Sequence, residues 1–525
     1  MRRDGDLSWP LRRATRVHGG ATAVIVGDQS VTYAELSERV GALGASLERF
    51  AVAPKERVGF LGDNSLAHFE CWHGVPAFGR VLVDLNFRLA EAELAFMVED
   101  AGIGVLIVGA QQLGTGRALQ ERCKSLRQLV FDGPGPAPSD CLHYEELVTA
   151  PPAEPPGLEE HELAAISYTG GTTGTPKGVM LSHGNLLANA RHNLIATGHR
   201  HDTRFLHVCP MFHVAGTANV FASTWVGATQ VVLPRFEARS VLEAIERERI
   251  THTTLVPTML RMLLDAPESR DADLSSLRNL QYAASPITPE LQRRVLDRLP
   301  CEIAQFYGMT EAAPTVSHLS PEDHRRGHEG EEPYRGRLAS MGVPVPGVEA
   351  EVRGALGEPL PPGEIGELWV RGPNVMLGYW HREEATEAAL QGAWYRSGDA
   401  AYADDDGYLY IVDRLKDMII TGGENVYSVE VEGVLVEHEA IIEAAVFGVP
   451  DERWGEAVHA VVTVRPGAEV STEEVIAHCR TRIAGFKVPR GIDVITAPLP
   501  KSGAGKVLKN QLREPFWASQ ERRVG

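Results

Sequence analysis

The sequence predicts an α/β protein with a large N-terminal domain of two α/β halves plus a small β-rich subdomain, followed by a small α+β C-terminal domain. Three observations carry this prediction. Apolar runs alternate with amphipathic segments from Ala21 to Leu299, the pattern changes to short runs broken by Pro and Gly beyond Met341, and a new set of strands with a capped helix follows Met418. At 525 residues the chain exceeds one ordinary core, and about 100 to 200 residues per domain gives about three or four compact units.

In the first half, strand-like runs at 23–26, 57–61 and 104–108 alternate with helix-like segments at 33–47 and 91–101, the pattern of an α/β layer with parallel pairing. A Pro- and Glu-rich stretch at 151–160 reads as a stiff polar connector. After it comes an apolar lead-in from Leu163, then a Thr/Gly loop, then a helix that Ser182 can cap, with Leu186, Leu187, Ala190 and Leu194 on its apolar face and an end near Gly198. The alternation resumes from Phe205, with strands near 206–208 and 230–233 and a helix at 240–249. Past Met341, prolines and glycines before a Glu-Leu-Trp-Val-Arg run at 367–371 suggest short strands and turns. In the last part, strands are expected at 443–449 and 457–464, and Ser471 with Glu474 forms a capping box for a helix ending near Gly485.

Composition narrows the function. A net charge of −19 opposes binding to nucleic acid or to an anionic membrane surface, whereas a small anionic substrate needs only a local cationic site. With only eight lysines against 43 arginines, Lys177 and Lys506, both beside glycines, invite a functional reading. The six cysteines are scattered without C-x-x-C or metal spacing, as expected for reduced thiols. No apolar run is long enough to span a membrane, and the first residues lack a signal-type apolar core. The expected location is cytoplasmic, and a homodimer stays open.

The chemistry centres on residues 166–179, Ile-Ser-Tyr-Thr-Gly-Gly-Thr-Thr-Gly-Thr-Pro-Lys-Gly-Val. Gly170, Gly171 and Gly174 permit close backbone approach, Thr169, Thr172 and Thr173 add hydroxyl donors, and Lys177 adds a point charge, which together suit a polyphosphate. The P-loop of nucleotide hydrolases is excluded, because Pro176 precedes Lys177 and Gly178 follows it. From Tyr168 to Val179 the stretch resembles the phosphate loop of the acyl-adenylating superfamily, which comprises acyl-CoA and aryl-CoA synthetases, peptide-synthetase adenylation domains and luciferases. One departure is Gly170, where that family usually has Ser or Thr.

Five further stretches resemble the same family, in the same order from about Tyr33 to Arg513, and the resemblance implies their roles. The segment Met-Phe-His-Val-Ala-Gly at 211–216 resembles the acyl-pocket segment, with His213 between the pocket and the reacting carboxylate. Gln-Phe-Tyr-Gly-Met-Thr-Glu at 305–311 resembles the adenylate motif: Tyr307 against adenine, Thr310 on the α-phosphate and Glu311 as a Mg²⁺ ligand. Asp399, in Tyr-Arg-Ser-Gly-Asp at 395–399, would accept from both ribose hydroxyls, with Arg414 also at the ribose. In the stretch from Asp413, Lys416 would be a hinge, and Gly422 with Gly423 would line the entry for coenzyme A. Lys506, presented by Gly503 and Gly505, would act as the catalytic lysine, with Lys501 and Lys509 as solvated neighbours.

The implied organisation is an N-terminal domain over 1–413, a hinge at 414–417 and a mobile C-terminal domain over 418–525. The implied function is that of an AMP-forming acyl-CoA ligase using ATP, Mg²⁺ and coenzyme A: a carboxylic acid is first joined to AMP, and the coenzyme A thiol then displaces AMP. Because Gly170 lacks a hydroxyl that could hold phosphate, a ligase that mainly converts a preformed acyl adenylate is a second reading. Luciferase-like oxidation and noncatalytic acyl or nucleotide binding are readings of other classes. The residues expected around the acid, Val214, Ala215, Gly216, Ala283, Ala284, Ser285 and Gly308, are mostly small and include no cation, which leaves aliphatic, aryl and polycyclic acids open.

Overall fold

Two large sheets carry the N-terminal part of the computed structural model, which describes residues 5–169, 176–285, 287–465, 467–468, 470–501 and 507–517. By contacts the chain divides into two units, Met1–Glu349 with Val370–Tyr395, and Ala350–Trp369 with Arg396–Gly525.

In the first unit, an eight-stranded sheet runs in the order Gly378–Tyr379, Lys177–Ser182, Leu163–Thr169, Val81–Asp84, Arg57–Leu61, Ile103–Gly109, Gln128–Asp132, Leu142–His143. Its central strands pair in parallel, as the strand–helix alternation predicts. Val81–Asp84 and Ile103–Gly109 are buried at every position, the mark of a sheet covered on both faces. A nine-stranded sheet follows the order Val343–Pro344, Thr315–Leu319, Glu302–Gly308, Asn279–Ala283, His252–Leu255, Arg204–His207, Thr229–Val232, Thr22–Val26, Gln29–Thr32. Here the structure departs from the simplest reading of the sequence. The run at 23–26 does not join the first layer but pairs in parallel with Thr229–Val232, Val24 opposite Gln230. Hydrophobicity marked it as a strand; only long-range packing selects its sheet.

Helices follow their local signals closely. Tyr33–Arg49 starts at a capping box of Thr32 and Glu35, and Glu91–Ala101 ends at Gly102 in the left-handed region. His183–Thr197 is capped by Ser182 with Asn185 and ends at Gly198 with φ 64°. The helix capped by Ser471 and Glu474 runs Thr472–Arg480, stopping short of Gly485.

In the second unit, Leu409–Arg414 pairs antiparallel with Trp394–Ala403. A second sheet orders Glu424–Val426, Ile419–Thr421, Gly455–Val464 and Ile441–Asp451, with Gly491–Ile495 parallel to Gly455–Val464. Helices Ser428–Val436 and Thr472–Arg480 contribute to its core. The contact boundary differs from the expected one at 413: the residues at 350–369 and 396–413 group with the C-terminal part. Within the second unit, the buried carboxylate of Asp413 accepts from the backbone N–H of Ser428 and from its hydroxyl at 3.0 Å, while Lys509 donates to that hydroxyl at 2.5 Å. These bonds tie strand Leu409–Arg414 to the start of helix Ser428–Val436. Among the described residues no helix is long and apolar enough to cross a membrane.

Histidine gives this core its pH dependence. Burial holds His183, His192, His207, His252, His318 and His324 down to about 4 and His73 to about 3. Each is protonated more readily in the unfolded chain, near 6.5, so unfolding takes up protons between about pH 6.5 and 4 and stability falls as pH drops through that window. Burial also raises Glu70, to about 7, and Asp132, Asp413 and Glu432, which act in the opposite direction. Across pH 5 to 6.5 the seven histidines outnumber Glu70. The thermal midpoint is therefore expected to be level above pH 7 and to fall progressively from pH 6.5 to 5; a midpoint that stays level over that range would refute the assignment of neutral buried histidines.

Candidate active site

The phosphate-loop stretch is held at both ends by sheet. Thr169 ends one strand and Lys177 opens the next, paired across the antiparallel ladder. Gly170, Gly171, Thr172, Thr173 and Gly174 lie outside the described residues, as does Lys506. Past the loop, the return strand is joined to a short strap at 376–380. Leu377 N–H donates to Met180 O, Trp380 N–H to Gly178 O, and Met376 N–H to Glu311 O, at 2.7 to 2.9 Å. Glu311 sits in the 3₁₀ turn Thr310–Ala312, just after strand Glu302–Gly308 that ends in Tyr307 and Gly308. Asn374 fixes that turn from the other side, its amide donating to Ala312 O at 2.8 Å and Thr315 O at 2.7 Å.

The strap carries Tyr379, which the sequence reading passed over. Its hydroxyl donates to Glu311 Oε1 at 2.9 Å, and Lys177 Nζ lies 5.0 Å from the centre of its ring. Tyr395 hydrogen-bonds to Tyr379 in turn, and burial first, then the charge of Glu311, pushes both phenols well above their ordinary range. Both phenols therefore stay protonated. Loop lysine, metal-ligand candidate and aromatic strap thus form one group within the first unit. The only local hint in the sequence was the Gly-Tyr-Trp triplet at 378–380.

His213 N-caps the short helix Val214–Thr217, its Nδ1 accepting from Ala215 N–H at 3.2 Å. That bond holds the imidazole by its Nδ1 at the start of the short helix. Ala283 ends strand Asn279–Ala283, and Ala284 has φ 76°, a strained value for a residue with a side chain. Ser285 follows it, half-buried. Two of the small residues expected to make room for the acid are small for another reason. A Cβ at Gly308 would stand 1.8 Å from Pro314 O, and one at Gly216 would stand 2.2 Å from Pro210 O. Neither backbone can take a side chain.

The second unit holds the other group. Asp399 and Arg414 stand opposite each other in the strand pair, with Arg414 Nε 3.6 Å from Asp399 Oδ1. Lys416 lies in the turn that follows, where Asp417 and Met418 N–H both donate to Arg414 O. Gly422 and Gly423, with φ 61° and 87°, make the two-residue turn between Ile419–Thr421 and Glu424–Val426. Gly422 packs against Trp454, whose ring would meet a Cβ there at 2.6 Å, and Arg453 and Arg490 stack on that ring at 4.6 and 5.0 Å. Lys501 and Lys509, expected as solvated neighbours, are instead engaged. Lys501 Nζ pairs with Glu443, and Lys509 Nζ pairs with Glu432 at 2.7 Å with its side chain only 15% exposed. Carboxylates on the adjacent strand and helix capture them, which sequence spacing does not reveal.

Replacing Gly308 by Ala is expected to lower stability by about 1 to 3 kcal/mol through the forced shift of the Pro314 carbonyl, read as a lower denaturation midpoint; an unchanged midpoint would show that the turn relaxes freely.

Comparison with known proteins identifies the family. The AMP-binding enzyme family matches residues 11–380 and the AMP-binding enzyme C-terminal domain matches 430–506. A feruloyl-CoA synthase of Amycolatopsis sp is 43% identical over 517 residues, 98% of this chain and 100% of that protein. An indoleacetate–CoA ligase of Aromatoleum aromaticum is 36% identical, covering 97% of this chain and 98% of its own. The solved structure of the amide bond synthetase McbA from Marinactinospora thermotolerans superposes with a TM-score of 0.87 at 33% identity, covering 98% of this chain and 100% of that one. The chain belongs to the AMP-binding enzyme family and, within the acyl-adenylating superfamily, to the AMP-forming acyl-CoA ligases.

Proposed function

We propose that this ligase activates an aryl-substituted acid of about cinnamate size and transfers it to coenzyme A. The juxtaposition of Lys177, Tyr379 and Glu311 carries the catalytic part of the reading. The choice of acid rests on the two relatives named above, whose names specify feruloyl and indoleacetate groups.

In the first half-reaction a carboxylate oxygen attacks the α-phosphorus of ATP and pyrophosphate leaves. Thr310 binds the α-phosphate, Lys177 and the Thr/Gly loop hold the leaving phosphates, and Lys506 neutralises charge as it builds. His213 orients the acid. Tyr307, Asp399 and Arg414 hold the adenosine. Glu311 would hold a Mg²⁺ through its carboxylate, a hard oxygen ligand of the kind this ion takes. When bound, it supplies charge neutralisation to the β- and γ-phosphates. In the second half-reaction the thiol, losing its proton, attacks the acyl carbon and AMP leaves. Gly422 and Gly423 admit the slender thiol arm, and rotation about Lys416 presents each lysine or glycine surface in turn.

Acid-dependent ATP–pyrophosphate exchange and, separately, thioester formation from synthetic feruloyl adenylate test the reading. Both activities are expected with ferulate. Thioester formation without exchange would favour the second reading, a ligase weakened in adenylation by Gly170, and turnover of alkanoates alone would refute the aryl assignment. Tyr379→Phe removes the donor to Glu311 and is expected to weaken Mn²⁺ binding, followed by electron paramagnetic resonance with a nonhydrolysable ATP analogue, by about tenfold, in line with one hydrogen bond to a charged group. Unchanged Mn²⁺ affinity would show that Tyr379 does not position the carboxylate.

A further inference from the structure

The sheet face behind the proposed acyl pocket carries a polar cluster that the reaction does not use. On strand Asn279–Ala283, Leu280 and Tyr282 enter the apolar core, so Gln281 and Ala283 project from the opposite face, one pleat repeat of about 7 Å apart. Thr254 stands beside Gln281 in the parallel register, and its neighbour Leu255 enters the same core as Leu280. Facing them is Asn219, the residue just before helix Val220–Val226, whose side chain makes no capping bond and so is free to turn to the strand, shortly after the turn that starts at His213. Asn219 Nδ2 donates to Gln281 Oε1 at 3.0 Å and to Thr254 Oγ1 at 3.2 Å, and Thr254 Oγ1 donates to Gln281 Oε1 at 3.0 Å. The three residues bridge the two walls that also carry Gly216 and Ala283.

All three are buried, Gln281 at 1%, Asn219 at 3% and Thr254 at 8% exposure. Their mutual bonds leave Asn219 Oδ1 and Gln281 Nε2 without a partner among the described residues. Two amides facing squarely would close both bonds; here one closes, and an acceptor and a donor stand splayed beside it. Buried polar atoms in native proteins are nearly always paired, so this pair calls for a complement. A carboxylate can only accept and an ammonium can only donate, whereas one hydroxyl donates to Asn219 Oδ1 and accepts from Gln281 Nε2 together. The cluster carries no charge, which suits a neutral group.

We infer that Asn219, Thr254 and Gln281 form the floor of the acyl pocket and select an acid that bears a hydroxyl at the end remote from its carboxylate. This rests on the ligase reading and on the pocket residues proposed above. A site built to hydrogen-bond a hydroxyl discriminates against the analogue lacking it far more strongly than an apolar pocket discriminates by size.

The experiment compares kcat/KM for two matched pairs, 4-hydroxycinnamate against cinnamate and an ω-hydroxyalkanoate against its alkanoate. The wild-type enzyme is expected to favour the hydroxylated member of the pair it turns over by at least about 30-fold. Gln281→Met is expected to reduce that ratio at least about tenfold, and Thr254→Val, which keeps the side-chain shape, gives the same comparison should Gln281→Met fail to fold. A wild-type ratio near one would mean that the amides take only water, and would overturn the inference while leaving the ligase reading intact. A ratio unchanged in both variants would also overturn it. No turnover of any of the four acids would overturn the ligase reading itself, and the inference with it.

Discussion

The hydrogen bond from Tyr379 to Glu311 is the contact on which the first unit's candidate site depends. It joins two pieces of chain that no local signal connects: the strap at 376–380, paired to the return strand of the phosphate loop, and the turn that follows strand Glu302–Gly308. The backbone bonds of Met376, Leu377 and Trp380 fix the strap to both pieces, and the side chain then sets where the carboxylate points. A single carboxylate oxygen of Glu311 is engaged in this bond. Because burial and the neighbouring charge raise the phenol's pKa, the donor persists throughout the physiological range.

Neutral donors recur inside this acidic chain. With a net charge of −19, an anionic nucleotide has to be met by local features, and Lys177 is a candidate cation for that in the first unit. The buried histidines contribute no charge. Desolvation keeps His73, His207 and His252 uncharged, and each makes a hydrogen bond to a neutral hydroxyl or amide partner. In the second unit the balance differs, since Lys487, Lys501 and Lys509 are each paired with a glutamate. Lysine is scarce in this chain, and three of its eight lysines stabilise that one unit.

Glycine positions illustrate how a small residue can be required by backbone packing rather than by substrate. Gly216 and Gly308 read as room for an acyl group, and both are in the expected segments. Their smallness is forced by the carbonyls of Pro210 and Pro314, which occupy the positions of any Cβ. At Gly422 the obstacle is the ring of Trp454, and the left-handed turn of Gly422 and Gly423 adds a second requirement. Smallness at the glycines is therefore no evidence of room for substrate.

Much of the site was legible in the sequence because its chemistry is local. Thr169 and Lys177 at the loop ends, Thr310 beside Glu311, and His213 before its helix are short-range patterns, and the capping of His183–Thr197 follows from Ser182 and Gly198 alone. Local hydrophobic periodicity likewise determined the strands and most helix starts, and with them the fold class. Only tertiary structure decided that the strand at 23–26 joins the second sheet, that Asp413 binds to Ser428, that Lys501 and Lys509 are ion-paired, and that Tyr379 reaches Glu311. In each case the partners are far apart in the chain, so no spacing encodes them. Burial of their common surface brings them together, and only then do their hydrogen bonds and charges act.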